Sequence, residues 1–355
     1  MAGEGERGER GDAAFAATPT YLVLPRATRT MLPRVHVIAT GGTIASTPDE
    51  DGAAPSLSGE DLLESVPDLS THADLSVESV SKVPGFDVNF ETMARAGERA
   101  SAAVEDGADA VVVTHGTDTM AETAYFLDLT RSLPVPVVVT GAQRRLDEPS
   151  SDAPANLLAA VRAATHRRVE EGVYVAFDDE LHAARDVRKV HTHELSAFKS
   201  PNDGPVATLT RAGIRFHREP QSESVYVPAQ RTDARVEMVV SAAGVDGAGV
   251  ERAVADGADG LVVAGTGLGN ATSELGEAIV DAMDSGVPVV LTSRCGAGST
   301  GAVYGTPGGG KTLQDAGAIA GGDLAPWKAR VKLALALEAA ERTEDVPRYF
   351  PDPAE

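Results

Sequence analysis

Four side chains of this 355-residue chain have the types that a threonine-based hydrolase needs: Thr43, Thr117, Asp118 and Lys189. A threonine hydroxyl is a weak nucleophile until a nearby base takes its proton. A lysine crowded by burial can sit neutral near neutral pH and serve as that base or as a proton shuttle. Glycine-rich turns offer backbone amides to a developing oxyanion, and a carboxylate such as Asp118 can hold a substrate ammonium. Thr43 lies in Thr40-Gly41-Gly42-Thr43-Ile44-Ala45-Ser46, whose paired glycines permit positive φ and a close approach of backbone to ligand. Thr117 and Asp118 lie in Thr114-His115-Gly116-Thr117-Asp118-Thr119. A helix cap explains part of this second turn: Asp118 or Thr119 suits the N-cap, and Glu122 stands three residues beyond Thr119, as a capping box requires. The other hydroxyls around Gly116 are left without a structural reason. Spacing alone does not establish that the four residues converge.

Each turn needs an element on either side to hold it. Residues 34–39 alternate and then become apolar, and Ala110-Val111-Val112-Val113 is a buried-strand run. Residues 120–129 return to helical spacing. A strand that ends in polar residues and leads into a helix is where open α/β sheets bind ligands. Residues 47–58, rich in Pro, Asp, Gly and Ser, read as a mobile loop. Further helices are expected at 59–66, 90–105 and 153–165, and strands at 77–83, 135–140 and 172–178. An internal echo relates Gly107-Ala108-Asp109 and its valine run to Gly257-Ala258-Asp259 and Leu261-Val262-Val263. The two continue to similar runs at 135–140 and 287–292, so both halves read as strand–turn–helix–strand units. The last helix spans 326–341. The expected fold is α/β, with two doubly wound domains of largely parallel sheet, the N-terminal one larger. The expected boundaries are a disordered extension over 1–32 and a domain carrying the threonines over 33–212. A linker over 213–235, a smaller domain over 236–345 and a tail over 346–355 complete the chain. Met31, just before the first strand, is the expected natural start.

Composition narrows the partners. With 31 basic against 53 acidic residues the net charge is −22, which argues against nucleic acid and anionic membrane. Lysine is confined to Lys82, Lys189, Lys199, Lys311, Lys328 and Lys332. That balance suggests a protein kept soluble in a halophilic cytoplasm, where salt screens the self-repulsion. No apolar run is long enough to span a bilayer, and the N-terminal segment lacks a signal-peptide core. Cys295 is the single cysteine, so no intrachain disulfide forms.

Two other motifs draw weaker readings. Residues 305–312, Gly-Thr-Pro-Gly-Gly-Gly-Lys-Thr, fit the phosphate-loop pattern. The pattern needs a buried strand before it and a strong helix after it, and the following residues 313–323 hold too many glycines for a long helix. A glycine-rich connecting loop is the better reading. His191 and His193 are a metal pair only with a third ligand, which the sequence does not supply at sensible spacing.

The turns at 40–45 and 114–123 resemble the two signature motifs of the bacterial-type L-asparaginases. Colinear minor motifs extend the resemblance over residues 35–337: Thr140-Gly141-Ala142-Gln143-Arg144, Arg185-Asp186-Val187-Arg188-Lys189, Gly267-Leu268-Gly269-Asn270 and residues 322–330. The resemblance implies that Thr43 attacks the side-chain amide and carries a β-aspartyl ester. It implies that Thr117 and Lys189 assist proton transfer, that Asp118 holds the substrate α-ammonium, and that Asn270 reaches a neighbouring subunit's site. It implies an intimate dimer, paired into a homotetramer, with no metal and no cofactor. Two departures stand out. The loop tyrosine of the family has no counterpart in residues 47–58, and the serine that grips the substrate carboxylate falls at Gly85, followed by Phe86. The expected activity is conversion of L-asparagine to L-aspartate and ammonia, with L-glutamine as a second substrate candidate. The rival readings are the asparaginase-like subunit of a tRNA-dependent amidotransferase, against which the shortness of residues 1–30 counts, and a non-catalytic amide-binding sensor.

Overall fold

The computed structural model describes residues 32–49, 52–219 and 225–351. The expected disorder of the N-terminal extension (Leu32 apart), the Met31 start and the last four residues lie outside them. The first half runs β1 (Arg34–Gly41), β2 (Ser46–Asp49), β3 (Gly52–Pro55), α1 (Gly59–Glu64), β4 (Asp74–Val83), α2 (Phe90–Glu105), β5 (Ala110–Thr114) and α3 (Met120–Thr130). It continues with β6 (Pro136–Thr140), α4 (Ala153–Ala164), β7 (Gly172–Phe177), β8 (Glu180–Ala183), β9 (Arg188–Lys189), β10 (Phe198–Lys199), β11 (Ala207–Thr210) and β12 (Gly213–Phe216). The second half holds β13 (Val236–Val240), α5 (Ala248–Ala255), β14 (Gly260–Gly265), α6 (Ser273–Asp284), β15 (Val289–Ser293), α7 (Gly310–Asp315), β16 (Ile319–Ala320) and α8 (Pro326–Ala339).

Eight strands form the larger sheet in the order β12-β11-β8-β7-β6-β5-β1-β4, parallel from β4 to β7 and antiparallel beyond. The smaller sheet, β13-β14-β15-β16, is parallel throughout. Both are α/β sheets covered by helices, as the hydrophobic runs predict. Alternation along β5 sends Val111 and Val113 against α2 and α3, and Ala110 and Val112 against α4. Each fully buried valine contributes about 1.5–3 kcal/mol. Helix α3 is buried nearly all round because it lies between the larger sheet and α8, which in turn covers β14 and β15.

The internal echo has a physical basis. Gly107 and Gly257, at φ +89° and +81°, end α2 and α5 in left-handed caps, their amides bonded to Val104 and Val254. Asp109 and Asp259 then accept the backbone amides of Arg34 and Arg235, at 2.9 and 2.8 Å, which pins each outgoing strand to its neighbour.

Three expectations need correction. Residues 46–49 and 52–55 pair as the antiparallel strands β2 and β3, so these parts of the segment read as a loop are strand. Their composition is that of a loop, but their backbones pair with one another. Residues 213–216, read as the start of a linker, form an edge strand paired with β11, which short alternating Gly-Ile-Arg-Phe permits. The segment read as a tail includes Val346, Tyr349 and Phe350, which pack into the main core. Among the described residues no helix is long and apolar enough to cross a membrane.

Candidate active site

Strand register decides where the two polar turns go. Ala39 pairs with Thr114, and Thr114 with Thr140, so β1, β5 and β6 end level and the turns after them emerge side by side. The chain leaves β1 for β4 on one side and then returns to β5 on the other. The crevice between β1 and β5 is therefore a topological switch point, where such sheets bind ligands.

Three glycines close the gap. A Cβ on Gly116 would lie 2.5 Å from Gly85 Cα, and one on Gly42, at φ +85°, would overlap Gly116. The backbones after β1, β4 and β5 thus touch directly, which brings the neighbours of these glycines, Thr43 and Thr117, to one crevice. Hydroxyls lace the same strand ends: Thr40 Oγ1 donates to the carbonyl of Thr114 at 2.9 Å, and Ser81 Oγ to that of Thr40 at 2.6 Å. The amide of Gly42, expected to face a ligand, is bonded to the carbonyl of Val83 at 3.1 Å.

The cluster of hydroxyls around Gly116 divides into struts and one exception. Thr119 Oγ1 donates to the carbonyl of Gly85 at 2.5 Å and makes no cap, so the expected capping box with Glu122 does not form. His115 is fully buried, which pushes its pKa down to about 4. Its Nδ1 lies 2.7 Å from the carbonyl of Gly116, which can only accept, so Nδ1 carries the proton and Nε2 accepts from Thr123 Oγ1 at 2.8 Å. A neutral imidazole with both nitrogens engaged stiffens the turn and is no base. Thr117 is the exception. Lys189 Nζ donates to Thr117 Oγ1 at 2.9 Å and to Asp118 Oδ1 at 2.7 Å. Thr117 in turn faces Gln143 Oε1 at 3.3 Å. The amine is thus set against a carboxylate. Asp118 keeps about half of its side chain exposed, at 52%.

Of the remaining expected residues, Gly85 sits within this backbone contact and has no room for a side chain. Asn270 does not join the cluster. Its Oδ1 accepts from the amide of Gly310 at 2.9 Å and its Nδ2 donates to Thr266 at 3.4 Å, stapling its own loop. Lys311 of the phosphate-loop match pairs with Asp315 at 2.7 Å on a six-residue helix, so no anion cradle is built there. His191 pairs with Glu194 at 3.3 Å, and no metal-holding group of three is found among the described residues.

For two residues it was their place at the site that escaped the sequence reading. Gln143 belonged to a noted motif, yet its contact with Thr117 depends on the β6 turn, where Asp152 accepts the amides of Gln143 and Arg144 at 3.0 and 2.9 Å. Glu122 lines a pocket of about 460 Å³ with Asp118, Lys189, His191 and Trp327. Burial pushes its carboxyl up to about 7, against the attraction of Lys328 and Arg330. A cleft of about 540 Å³ near Arg131, Arg168 and Tyr226 lies by the starts of β6 and β7, away from these groups.

Comparisons with known proteins agree with this architecture. Residues 34–222 match the family model for asparaginase, N-terminal, and residues 235–350 match that for the glutaminase/asparaginase C-terminal domain. The chain is 38% identical over 330 residues to a probable L-asparaginase of Deinococcus radiodurans, covering 90% of this chain and 97% of that one. It is 37% identical over 325 residues to a glutamyl-tRNA(Gln) amidotransferase subunit of Methanothermobacter thermautotrophicus, covering 88% of this chain and 74% of that one. The crystal structure of a probable cytoplasmic L-asparaginase from Campylobacter jejuni is similar with a TM-score of 0.80 and 30% identity, covering 90% of this chain and 99% of that one.

Proposed function

Since the chain belongs to the asparaginase family, we propose that it hydrolyses L-asparagine to L-aspartate and ammonia through an ester on Thr43. The observation that carries the reading is the pair of hydrogen bonds from Lys189 Nζ to Thr117 Oγ1 and Asp118 Oδ1. A hydroxyl that touches an amine beside a carboxylate can relay protons. Thr43 Oγ1 attacks the amide carbon of the substrate side chain and gives up its proton. The tetrahedral intermediate collapses to a β-aspartyl ester as ammonia leaves with a proton. Water then adds to the ester carbon, its proton returns to Thr43, and aspartate departs. Thr117 and Lys189 carry protons in both halves, while Asp118 offers its second oxygen to the α-ammonium. With glycine at 85, the substrate carboxylate has no hydroxyl there to grip, so L-glutamine is a second substrate to test. Self-association as a dimer or tetramer, with Asn270 facing a neighbour's site, is part of the same reading.

A second reading, the amidotransferase component, is favoured by the 37% identity to a protein of that name. Ammonia release from free L-asparagine and L-glutamine by the purified chain separates the two. Release that Thr43→Ala abolishes supports the hydrolase. Release that persists in Thr43→Ala refutes the ester mechanism. Release that starts only with an amidotransferase partner and tRNA present supports the second reading. A folded chain that binds asparagine and releases nothing under either condition is a sensor.

A further inference from the structure

The relay lysine is not held by the sheet that carries the threonines. Lys189 belongs to the short pair β9–β10, outside the eight-stranded sheet. The turn before it is gripped by the segment that opens α8. Lys328, wholly buried, donates from Nζ to the carbonyls of Ala184 at 2.7 Å, Arg185 at 2.8 Å and Val187 at 2.5 Å. Three carbonyls use all three N–H bonds of an ammonium. The turn's own amides, from Asp186 and Val187, go to the carbonyl of Ala183. The ring of Tyr125, on α3, lies 5.5 Å from the same nitrogen, so Lys328 sits between the two segments whose ends carry Thr117 and Lys189. Five residues earlier, Asp323 pairs with Arg185 at 2.7 Å, and its carbonyl accepts from Arg188.

We propose that Lys328 is a positioning residue for Lys189: by gathering the carbonyls of residues 184, 185 and 187 it sets the path of the turn, and so the reach of Lys189 Nζ to Thr117 and Asp118. The inference rests on reading Lys189 as a proton carrier in amide hydrolysis. A buried ammonium is costly, and an apolar side chain of similar length would fill the same space without that cost. What methionine cannot supply is three directed bonds to one turn. Burial pushes the Lys328 amine down to about 7, in the face of attraction from Asp186 and Glu122. The three-carbonyl grip belongs to its protonated form, so the assays are run below pH 7.

The test uses the full chain with Lys328→Met. The control is Lys332→Met, one helical turn on, where a second buried lysine lies over Phe350 at 4.9 Å and donates to none of these carbonyls. Lys328→Met is expected to lower kcat about a hundredfold with KM for L-asparagine within about threefold, while Lys332→Met keeps kcat. In Lys328→Ala, added n-propylammonium restores activity and n-propanol does not. If Lys328→Met does not fold, Lys328→Ala purified with propylammonium replaces it. Nitrogen-15 lysine NMR reads the positioning without turnover. The Nζ signal that Lys189→Arg removes is expected in the wild type and absent from Lys328→Met. An unchanged kcat, or an unchanged Lys189 signal, in folded Lys328→Met overturns the proposal. A wild type that releases no ammonia refutes the functional reading instead, and the Lys189 signal then decides the positioning by itself.

Discussion

Replacing Glu122 by glutamine removes a charge and keeps the shape of the side chain, at a position where burial pushes the carboxyl up to about 7 from an ordinary 4.5. The unfolded chain ionises this group near its ordinary value, whereas the folded chain holds the proton until about neutrality. Between those two pH values the folded state binds more protons, so stability falls as pH rises through the window. Below it both states are protonated, and glutamine differs little from glutamic acid. Above it the wild type carries the full cost of ionising a buried carboxyl, about 3 kcal/mol for a displacement of this size. The variant also deprives buried Lys328 of a favourable counter-charge. That attraction is already contained in the displaced value, so glutamine stays ahead by about 2–3 kcal/mol above neutrality. Urea unfolding of both proteins at about pH 4 and about pH 8, in the same salt, measures the difference directly. The expected result is near coincidence at the lower pH and a more stable variant at the higher. An equal difference at both values, or a less stable variant at the higher, would refute the assignment of Glu122 as a proton-holding carboxyl of the pocket wall.

Three other outcomes follow from the geometry. Gly116→Ala puts a methyl 2.5 Å from Gly85 Cα, backbone that cannot yield cheaply, and should cost about 1–3 kcal/mol in thermal or urea unfolding along with most of the activity. Asp323→Ala leaves the guanidinium of Arg185, 17% exposed, without its 2.7 Å partner, and should destabilise by about 2–4 kcal/mol and loosen residues 184–188 to hydrogen exchange. The net charge of −22 should make the melting temperature climb with KCl concentration as repulsion is screened, and a flat response by calorimetry would remove the halophilic expectation.

Helices and strands with a clear period were legible without coordinates. Helix α2 begins and ends at Phe90 and Glu105, as its spacing predicts, because its periodic run is bounded by Asn89, whose side chain accepts the amide of Thr92, and by the left-handed Gly107. The misreadings share another cause. Residues 46–49, 52–55 and 213–216 lack strong propensity, and pairing with a neighbour made strands of them. Thr119 and Glu122 had the letters of a capping box, but the carbonyl of Gly85, 34 residues away in sequence, took the hydroxyl first.

The sequence by itself determined the α/β class, the repeated glycine-ended helices and the two polar turns, all of which depend on residues near one another in the chain. Only the tertiary structure decided that Thr117, Asp118 and Lys189 form one hydrogen-bonded group, that His115 is a strut, and that Glu122 is a largely desolvated acid. The reason is physical. Convergence follows from strand register and from a buried lysine more than a hundred residues downstream, and local pattern carries no record of such distant partners. The burial that moves a carboxyl or an amine from its ordinary pKa likewise exists only once the packed neighbours are in place.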